Sequence, residues 1–89
     1  MDVNHDEIAH RFTCNVDGHA CELDYRLADG VMTITHTGVP AEVSGRGIAS
    51  DLAKAAMAHA RAKGWKVTPA CSYAVEFMKR HPEFEDLRA

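Results

Sequence analysis

The segment "VSGRGIAS", Val43 to Ser50, marks the place where this chain changes from strands to helices. Two glycines flank an arginine, and an alanine-rich run with helical spacing follows at once. Backbone N–H groups at a helix N-terminus are unpaired donors at the positive end of the helix dipole, so a glycine turn there can hold a phosphate. A plain connection from a strand to a helix is the alternative, and the local pattern alone slightly favours it.

The residues before this segment have the pattern of an antiparallel sheet. Asp17-Gly18 and Asp29-Gly30 separate three runs of alternating apolar residues, and both dipeptides suit the positive φ angles of tight hairpin turns. Two-residue turns fix the register, and one face of the resulting meander is apolar. The expected cross-strand partners are Phe12 with Leu23, Cys14 with Cys21, Tyr25 with Ile34, and Leu23 with His36.

The residues after the segment predict two helices and one more strand. Apolar residues recur with helical spacing from Gly47 to Lys63, and Gly64 is a candidate C-cap. "WKVT" is a short strand stopped by Pro69, "SYAVEFMKRH" is a second helix, and the tail "EFEDLRA" is expected to be irregular. A strand, a helix and a further strand form a crossover, so the last strand should run parallel to Val31–Thr37. The fold class is therefore α+β, with helices covering the apolar face of a small mixed sheet.

Length and composition limit the class of protein. The 89 residues allow one domain with a modest core, expected to span 1–89. The net charge of −3 gives no electrostatic footprint for nucleic acid, no apolar run could span a bilayer, and "MDVNHDE" is not a signal peptide. Three cysteines, an odd number, favour a reducing compartment. We expect a cytoplasmic protein, a monomer or weak dimer, without nucleic-acid or membrane partners.

The glycine segment differs from two well-known phosphate loops. "GRGIAS" lacks the third glycine of a dinucleotide fingerprint, and no acidic residue ends the next strand. A Walker loop is absent as well, because no Gly-Lys-Ser/Thr follows.

The run from His36 to Leu87 resembles instead the minimal, single-domain branch of the GNAT N-acetyltransferase superfamily, the small YjdJ-like acetyltransferases. The resemblance rests on "HTGVP", "GRGIAS", "PACSY" and "RHPEF", in that order and at compatible spacings. The superfamily's pyrophosphate loop has the form Gln/Arg-x-x-Gly-x-Gly/Ala. Gly47 and Ala49 match its end, whereas Ser44 stands where Gln or Arg is usual. That departure removes one amide or cationic side chain but no backbone donor.

The resemblance implies a GNAT-like sheet that binds acetyl-coenzyme A as co-substrate. Its pyrophosphate would lie on backbone N–H groups of the glycine turn, and Arg46 either reaches a phosphate or is a solvated surface residue. In this superfamily the pantetheine lies between two parallel strands that splay apart, and Pro69, which has no N–H, suits such an opening. The backbone of Val39 is a candidate partner for the acyl carbonyl or a pantetheine amide. The expected coenzyme-binding residues are Val39, Ser44, Gly45, Arg46, Gly47, Ile48, Ala49 and Ser50.

Two side chains are candidates for the chemistry. Cys71 falls between the last strand and the second helix, where a helix N-terminus stabilises a thiolate, and the resembling family has a cysteine in this context facing the thioester. His36 is the polar member of the apolar sheet face, and a core-edge histidine bound to a backbone carbonyl is the alternative. With the resemblance, His36 or a water that it orients is the candidate base. Cys71 is the candidate acid or nucleophile, and Tyr73 is a weaker candidate acid.

The expected function is transfer of an acetyl group from acetyl-coenzyme A to an amine. The acceptor stays open among protein lysines, protein N-termini, polyamines and small metabolites. An acyl-coenzyme A binding module with little turnover is the alternative, because Ser44 departs from the motif. A thiol-redox protein ranks third, since there is no Cys-x-x-Cys pair. Cys14, His19 and Cys21 have no evident fourth ligand, so no metal is expected.

Overall fold

The computed structural model of the protein describes residues 2–89, which form one five-stranded sheet and two α-helices. The strands are β1 (Asn4–Asp6), β2 (Arg11–Val16), β3 (His19–Ala28), β4 (Val31–Gly38) and β5 (Lys66–Pro69). The helices are α1 (Ile48–Lys63) and α2 (Ser72–Arg80), and short 3₁₀ segments cover Ala41–Val43 and Pro82–Leu87. In residues 2–89, no helix is both long and apolar enough to cross a bilayer.

The sheet is mixed, as expected from the sequence. Its strands follow chain order, with antiparallel pairing from β1 to β4 and a parallel pair between β4 and β5. Both predicted hairpins are present, because φ is 50° and 78° at Asp17 and Gly18, and 52° and 73° at Asp29 and Gly30. Positive φ at both central residues gives the turn a twist that matches the strands it joins.

Three of the four predicted cross-strand pairs are confirmed. Phe12 faces Leu23, Cys14 faces Cys21, and Tyr25 faces Ile34. The fourth, between Leu23 and His36, is wrong, because the register shifts between Asp24 and Tyr25. Asp24 pairs with His36 and Leu23 pairs with Thr37, which leaves Thr35 as an extra, bulged residue of β4.

The core lies between the apolar face of the sheet and the two helices. The strands contribute side chains that are 0–4 % exposed, among them Cys21, Met32 and Ile34, while α1 contributes Leu52 and Met57. Buried alanines of α1, at residues 53, 56 and 60, let the helix lie close to the sheet. The opposite face of the sheet carries polar side chains, none of which is buried.

Both ends of the chain are more regular than the sequence suggests. β1 pairs with β2 as an edge strand that the sequence does not predict. The tail, expected to be irregular, forms a 3₁₀ segment in which Leu87 is 5 % exposed. Arg61 of α1 holds this segment through Asp86, with 2.7 Å between Nη1 and Oδ2. The Ala89 N–H also donates to the Val67 carbonyl of β5 at 2.9 Å.

Candidate functional site

The glycine turn brings unpaired backbone donors to the start of α1. Gly45 and Gly47 have φ of 79° and 77°, a left-handed conformation that glycine adopts without strain. Within residues 2–89 no side chain caps this helix end, and the first intrahelical bond runs from the Asp51 N–H to the Gly47 carbonyl at 3.0 Å. The N–H groups of Ile48, Ala49 and Ser50 are therefore left for a ligand or for water.

A cavity of about 350 Å³ opens directly beside these donors. Seven of the eight residues that the sequence predicts as coenzyme contacts line it. They are Val39, Ser44, Gly45, Gly47, Ile48, Ala49 and Ser50. Tyr73 and Arg80 of α2 complete the lining, so the second helix forms the wall opposite the glycine turn.

The eighth predicted contact, Arg46, points elsewhere. Its Nη1 lies 2.6 Å from Oδ2 of Asp17, in the β2–β3 turn, and it does not line the cavity. Ser44 lines the cavity, but its hydroxyl donates to the Ala41 carbonyl at 3.0 Å. Arg80 is exposed at the cavity, and no carboxylate of residues 2–89 lies within 4.0 Å of it. The cation available to the cavity therefore comes from α2.

Tyr73 is a polar residue of the α2 wall whose pKa is changed by burial. Burial raises the pKa of its phenol, while the neighbouring Ser50 hydroxyl and the positive charge of Arg80 act in the opposite direction. The phenol is therefore protonated at neutral pH and able to donate a hydrogen bond into the cavity. Its ring also lies against Phe77, with 6.3 Å between ring centroids, which anchors Tyr73 to the core.

The parallel strands β4 and β5 separate close to this cavity. Their last paired residues are Ile34 and Pro69, and Pro69 has no N–H with which to extend the ladder. The Ile34 carbonyl then accepts from the N–H groups of Ala70 and Cys71, at 2.9 and 3.2 Å, as the chain turns into α2. Within residues 2–89, β4 has no strand partner on this side beyond Ile34, which agrees with the opening expected from Pro69.

Cys71 sits at this opening, on the helix-covered side of the sheet. It is the N-cap residue of α2, and its sulfur accepts from the Ala74 N–H at 3.4 Å. Its sulfur also lies 3.7 Å from Oγ1 of Thr37. Among the three cysteines, which are all free thiols, Cys14 and Cys21 are buried and Cys71 is half-buried.

His36 lies on the other side of the sheet, which corrects the sequence prediction. The bulge at Thr35 reverses the alternation of β4, so Thr37 takes the helix side and His36 is exposed on the open face. There its Nε2 is 4.0 Å from Oε1 of Glu22. A Cβ at Gly38 would come within 3.0 Å of the His36 ring and 2.7 Å of the Glu22 carboxylate, so glycine leaves room for the two side chains to approach each other.

Sequence reasoning missed Arg80, Thr37 and Glu22. Arg80 belongs to the "RHPEF" motif, but its position at the cavity depends on how α2 packs against the start of α1. Thr37 and Glu22 meet Cys71 and His36 only because of the bulge, which no glycine or proline marks. The strongest sequence signal for Arg80 was the charged end of α2, which has basic residues at positions 79 and 80.

The comparisons with known proteins agree on one family. A family profile described as GCN5-related N-acetyl-transferase matches residues 11–87. Protein NATD1 from Gallus gallus is 32% identical over 85 residues, which cover 92% of this chain and 77% of the relative. The Bos taurus protein of the same name is 32% identical over 83 residues, or 90% and 74% of the two chains.

A solved structure gives the same result for the fold. A GCN5-like protein from Staphylococcus aureus, known from its NMR solution structure, superimposes with a TM-score of 0.78 at 28% sequence identity. The alignment covers 99% of this chain and 87% of that one. The chain belongs to the GCN5-related N-acetyltransferase family.

Proposed function

We propose that the protein transfers the acetyl group of acetyl-coenzyme A to an amine. The observation that carries this proposal is the uncapped start of α1, whose free N–H groups open into a cavity lined by the glycine turn. An anion is stabilised there by backbone donors and by the helix dipole, without any side chain. Membership of the N-acetyltransferase family supports the same ligand.

In this proposal the pyrophosphate lies on the N–H groups of residues 45–50, and Arg80 supplies the cation. The pantetheine arm then runs towards the gap between β4 and β5, past the backbone of Val39. Arg46 is the weaker candidate, because it must first leave Asp17. Guanidinium and phosphate make short, charge-assisted hydrogen bonds, so an exposed arginine that is free of carboxylates is well suited to this role.

The amine would approach from the open face of the sheet, where His36 and Glu22 lie. An alkylammonium group has a pKa near 10.4 and must lose its proton before it can attack a thioester. His36, or a water bound to it, is the proposed base, and Glu22 lies beside the imidazole. The thioester in the gap would then have the base on one side and Cys71 on the other.

The transfer also requires either an acid that protonates the departing coenzyme thiolate or a nucleophile that displaces it. In the direct route, the neutral amine attacks the carbonyl, the C–S bond of the tetrahedral intermediate breaks, and the coenzyme thiolate takes a proton from Cys71 or Tyr73, which is restored by the proton that the attacking nitrogen loses as it becomes an amide. In the two-step route, the Cys71 thiolate attacks first, releases coenzyme A, and passes the acetyl group to the amine. The contact between Cys71 and Thr37 supports either role.

The acceptor class stays open in this proposal, because protein lysines, protein N-termini, polyamines and small metabolites all offer the same amine. We keep the cytoplasm as the expected compartment, since the three cysteines are free thiols. Binding of acyl-coenzyme A without turnover is the second candidate function. It is favoured by the engagement of the Ser44 hydroxyl with Ala41, which leaves the turn without its usual side-chain contact.

Two measurements test the proposal, namely thermal unfolding with acetyl-coenzyme A and thiol release with a panel of amines. Ligand at a hundredfold excess over its dissociation constant should stabilise the protein by about 2.7 kcal/mol. For a domain of this size, that corresponds to a rise in melting temperature on the order of 10 °C. Amine-dependent release of coenzyme A then separates transfer from binding alone.

Gly47→Ala and Gly64→Ala form a matched pair for the binding arm. Both glycines have left-handed φ, 77° and 74°, and a Cβ at either would meet no atom within 4 Å, so each change costs a similar backbone strain, about 1–2 kcal/mol. They lie at opposite ends of α1, and of the two only Gly47 lines the cavity. We expect Gly64→Ala to keep the ligand-induced shift and Gly47→Ala to lose most of it. Equal shifts in both would mean that the turn is only a connection.

A further inference from the structure

A second cluster of reactive side chains lies where the edge strand β1 meets α1. Candidate ligand atoms of His5, Glu7 and His59 all lie within 4.8 Å of one another. His59 projects from α1, His5 belongs to β1, and Glu7 is the first residue after the end of β1. His59 is eleven residues beyond Ile48, so the cluster is about 16 Å along α1 from the glycine turn and is separate from the proposed acetyl-transfer site.

The His59 ring has a buried nitrogen that no group of the described residues satisfies. Its Nε2 has no hydrogen-bond partner within residues 2–89, although the side chain as a whole is 23% exposed. The distance from this Nε2 to Oε1 of Glu7 is 3.5 Å, which is longer than a normal N–H···O hydrogen bond. It matches the spacing of about 3.4 Å between two ligand atoms of a tetrahedral zinc ion, each bound at 2.0–2.2 Å.

The two imidazoles are already held in place by their neighbours. His5 stacks on Phe12 with 4.0 Å between centroids, and Tyr25 Oη lies 2.6 Å from its Nε2, while its Nδ1 takes part in none of the hydrogen bonds found within residues 2–89. A hydrogen bond to the second nitrogen is the usual way in which a protein orients a metal-binding histidine. His59 packs edge-on against both His5 and Trp65, with 4.3 and 5.2 Å between centroids.

We infer that His5, Glu7 and His59 form a binding site for a divalent transition metal ion of the zinc class. Two imidazoles and one carboxylate are the donors that such ions prefer, whereas calcium and magnesium need more oxygen ligands. Glu7 is 62% exposed, so it provides the entry path, and a water can complete the coordination. The ion would fasten the N-terminal edge strand to α1.

The test uses untagged protein stripped of metal with a chelator and then titrated with Zn²⁺, followed by calorimetry and by thermal unfolding. Glu7→Gln, His59→Gln and the wild type are compared with His19→Gln, a control at a half-buried histidine outside the cluster. We expect one zinc ion per chain, a rise in melting temperature on the order of 10 °C at a hundredfold excess over the dissociation constant, and an affinity loss of about tenfold or more in the two cluster variants. Glu7→Gln changes an exposed side chain and should fold even if His59→Gln does not.

Cobalt gives a second readout that does not depend on stability. Bound Co²⁺ should show the visible absorption of a four-coordinate nitrogen and oxygen site, without the sulfur charge-transfer bands that the free thiols would produce. The inference is overturned if the wild type binds no zinc, if all four proteins bind it equally, or if the cobalt spectrum shows sulfur ligands. A plain ion pair between Glu7 and His59 would give stability differences among the variants but the same response to zinc.

Discussion

Replacing Arg80 by alanine should weaken the binding of coenzyme A about tenfold. Arg80 lines the cavity at the start of α1, and no carboxylate of residues 2–89 lies within 4.0 Å of its guanidinium. It can therefore meet a phosphate without first breaking an ion pair. Hydrogen bonds to charged groups contribute about 1.5–3 kcal/mol, and solvent exposure puts Arg80 at the lower end. A loss of about 1.4 kcal/mol is a factor of ten in the dissociation constant.

Arg46→Ala is the matched control for this prediction. Arg46 is also exposed and lies in the glycine turn itself, but its Nη1 is 2.6 Å from Asp17. A phosphate contact would have to replace that pair, which itself contributes only about 0–1 kcal/mol. We therefore expect the affinity for coenzyme A to change less in Arg46→Ala than in Arg80→Ala.

The assay is calorimetric titration of each variant with coenzyme A and with 3′-dephospho-coenzyme A. A tenfold loss in Arg80→Ala with both ligands indicates that Arg80 meets the pyrophosphate, whereas a loss with coenzyme A alone indicates the 3′-phosphate. Arg80→Lys should recover part of the affinity, because the charge is kept and the planar fork is lost. If Arg46→Ala loses more affinity than Arg80→Ala, the reasoning from the cavity is refuted and the sequence prediction for Arg46 is right.

Three further predictions concern the chemistry and the stability of the chain. His36→Ala should lower the rate of acetyl transfer by roughly 10²–10⁴-fold with coenzyme binding unchanged, and an unaltered rate in the folded variant would remove His36 as the base. Cys71 should be alkylated before the buried Cys14 and Cys21, and acetyl-coenzyme A should protect it. An acetyl-cysteine trapped in the wild type but absent from Cys71→Ala would identify the two-step route. Preferential labelling of a buried cysteine would contradict the assignment of Cys71 to the site. Burial and His59 lower the pKa of His5 below that of the unfolded chain, so the free energy of unfolding of metal-free protein should fall as the pH drops below about 6.5. Urea titrations at two pH values should show a smaller loss in His5→Gln than in the wild type. An equal loss would exclude His5 as the source of the pH dependence.

The sequence predicts the fold well wherever local chemistry determines it. Asp17-Gly18 and Asp29-Gly30 require left-handed backbone, which selects two-residue turns and fixes the register next to them. Gly64 ends α1 as predicted, with its N–H bonded to the Arg61 carbonyl at 3.2 Å. Six of the predicted coenzyme-binding residues line the cavity together because they are consecutive or nearly so in the glycine segment, and their contact with coenzyme stays a prediction.

Features that depend on tertiary packing are the ones that the sequence does not predict. The bulge at Thr35 has no residue signature, so the face assigned to His36 is wrong although the strand itself is right. The edge strand β1 is only three residues long and has no apolar alternation to mark it. Arg80 reaches the cavity across the space between two helices, and no spacing along one chain segment carries that information.

The bulge at Thr35 also separates what β4 contributes to folding from what it contributes to chemistry. Residues 31–34 keep the parity of the hairpin and place Met32 and Ile34 in the core, whereas residues 36–38 follow the opposite parity. Deleting the single residue Thr35 would remove the bulge and let His36 follow Ile34 directly, so His36 would still pair with Asp24 and Thr37 with Leu23, on the sides that they occupy now. In evolutionary terms, the bulge can absorb the gain or loss of one codon at this point, because the residues on either side of it keep their partners in β3.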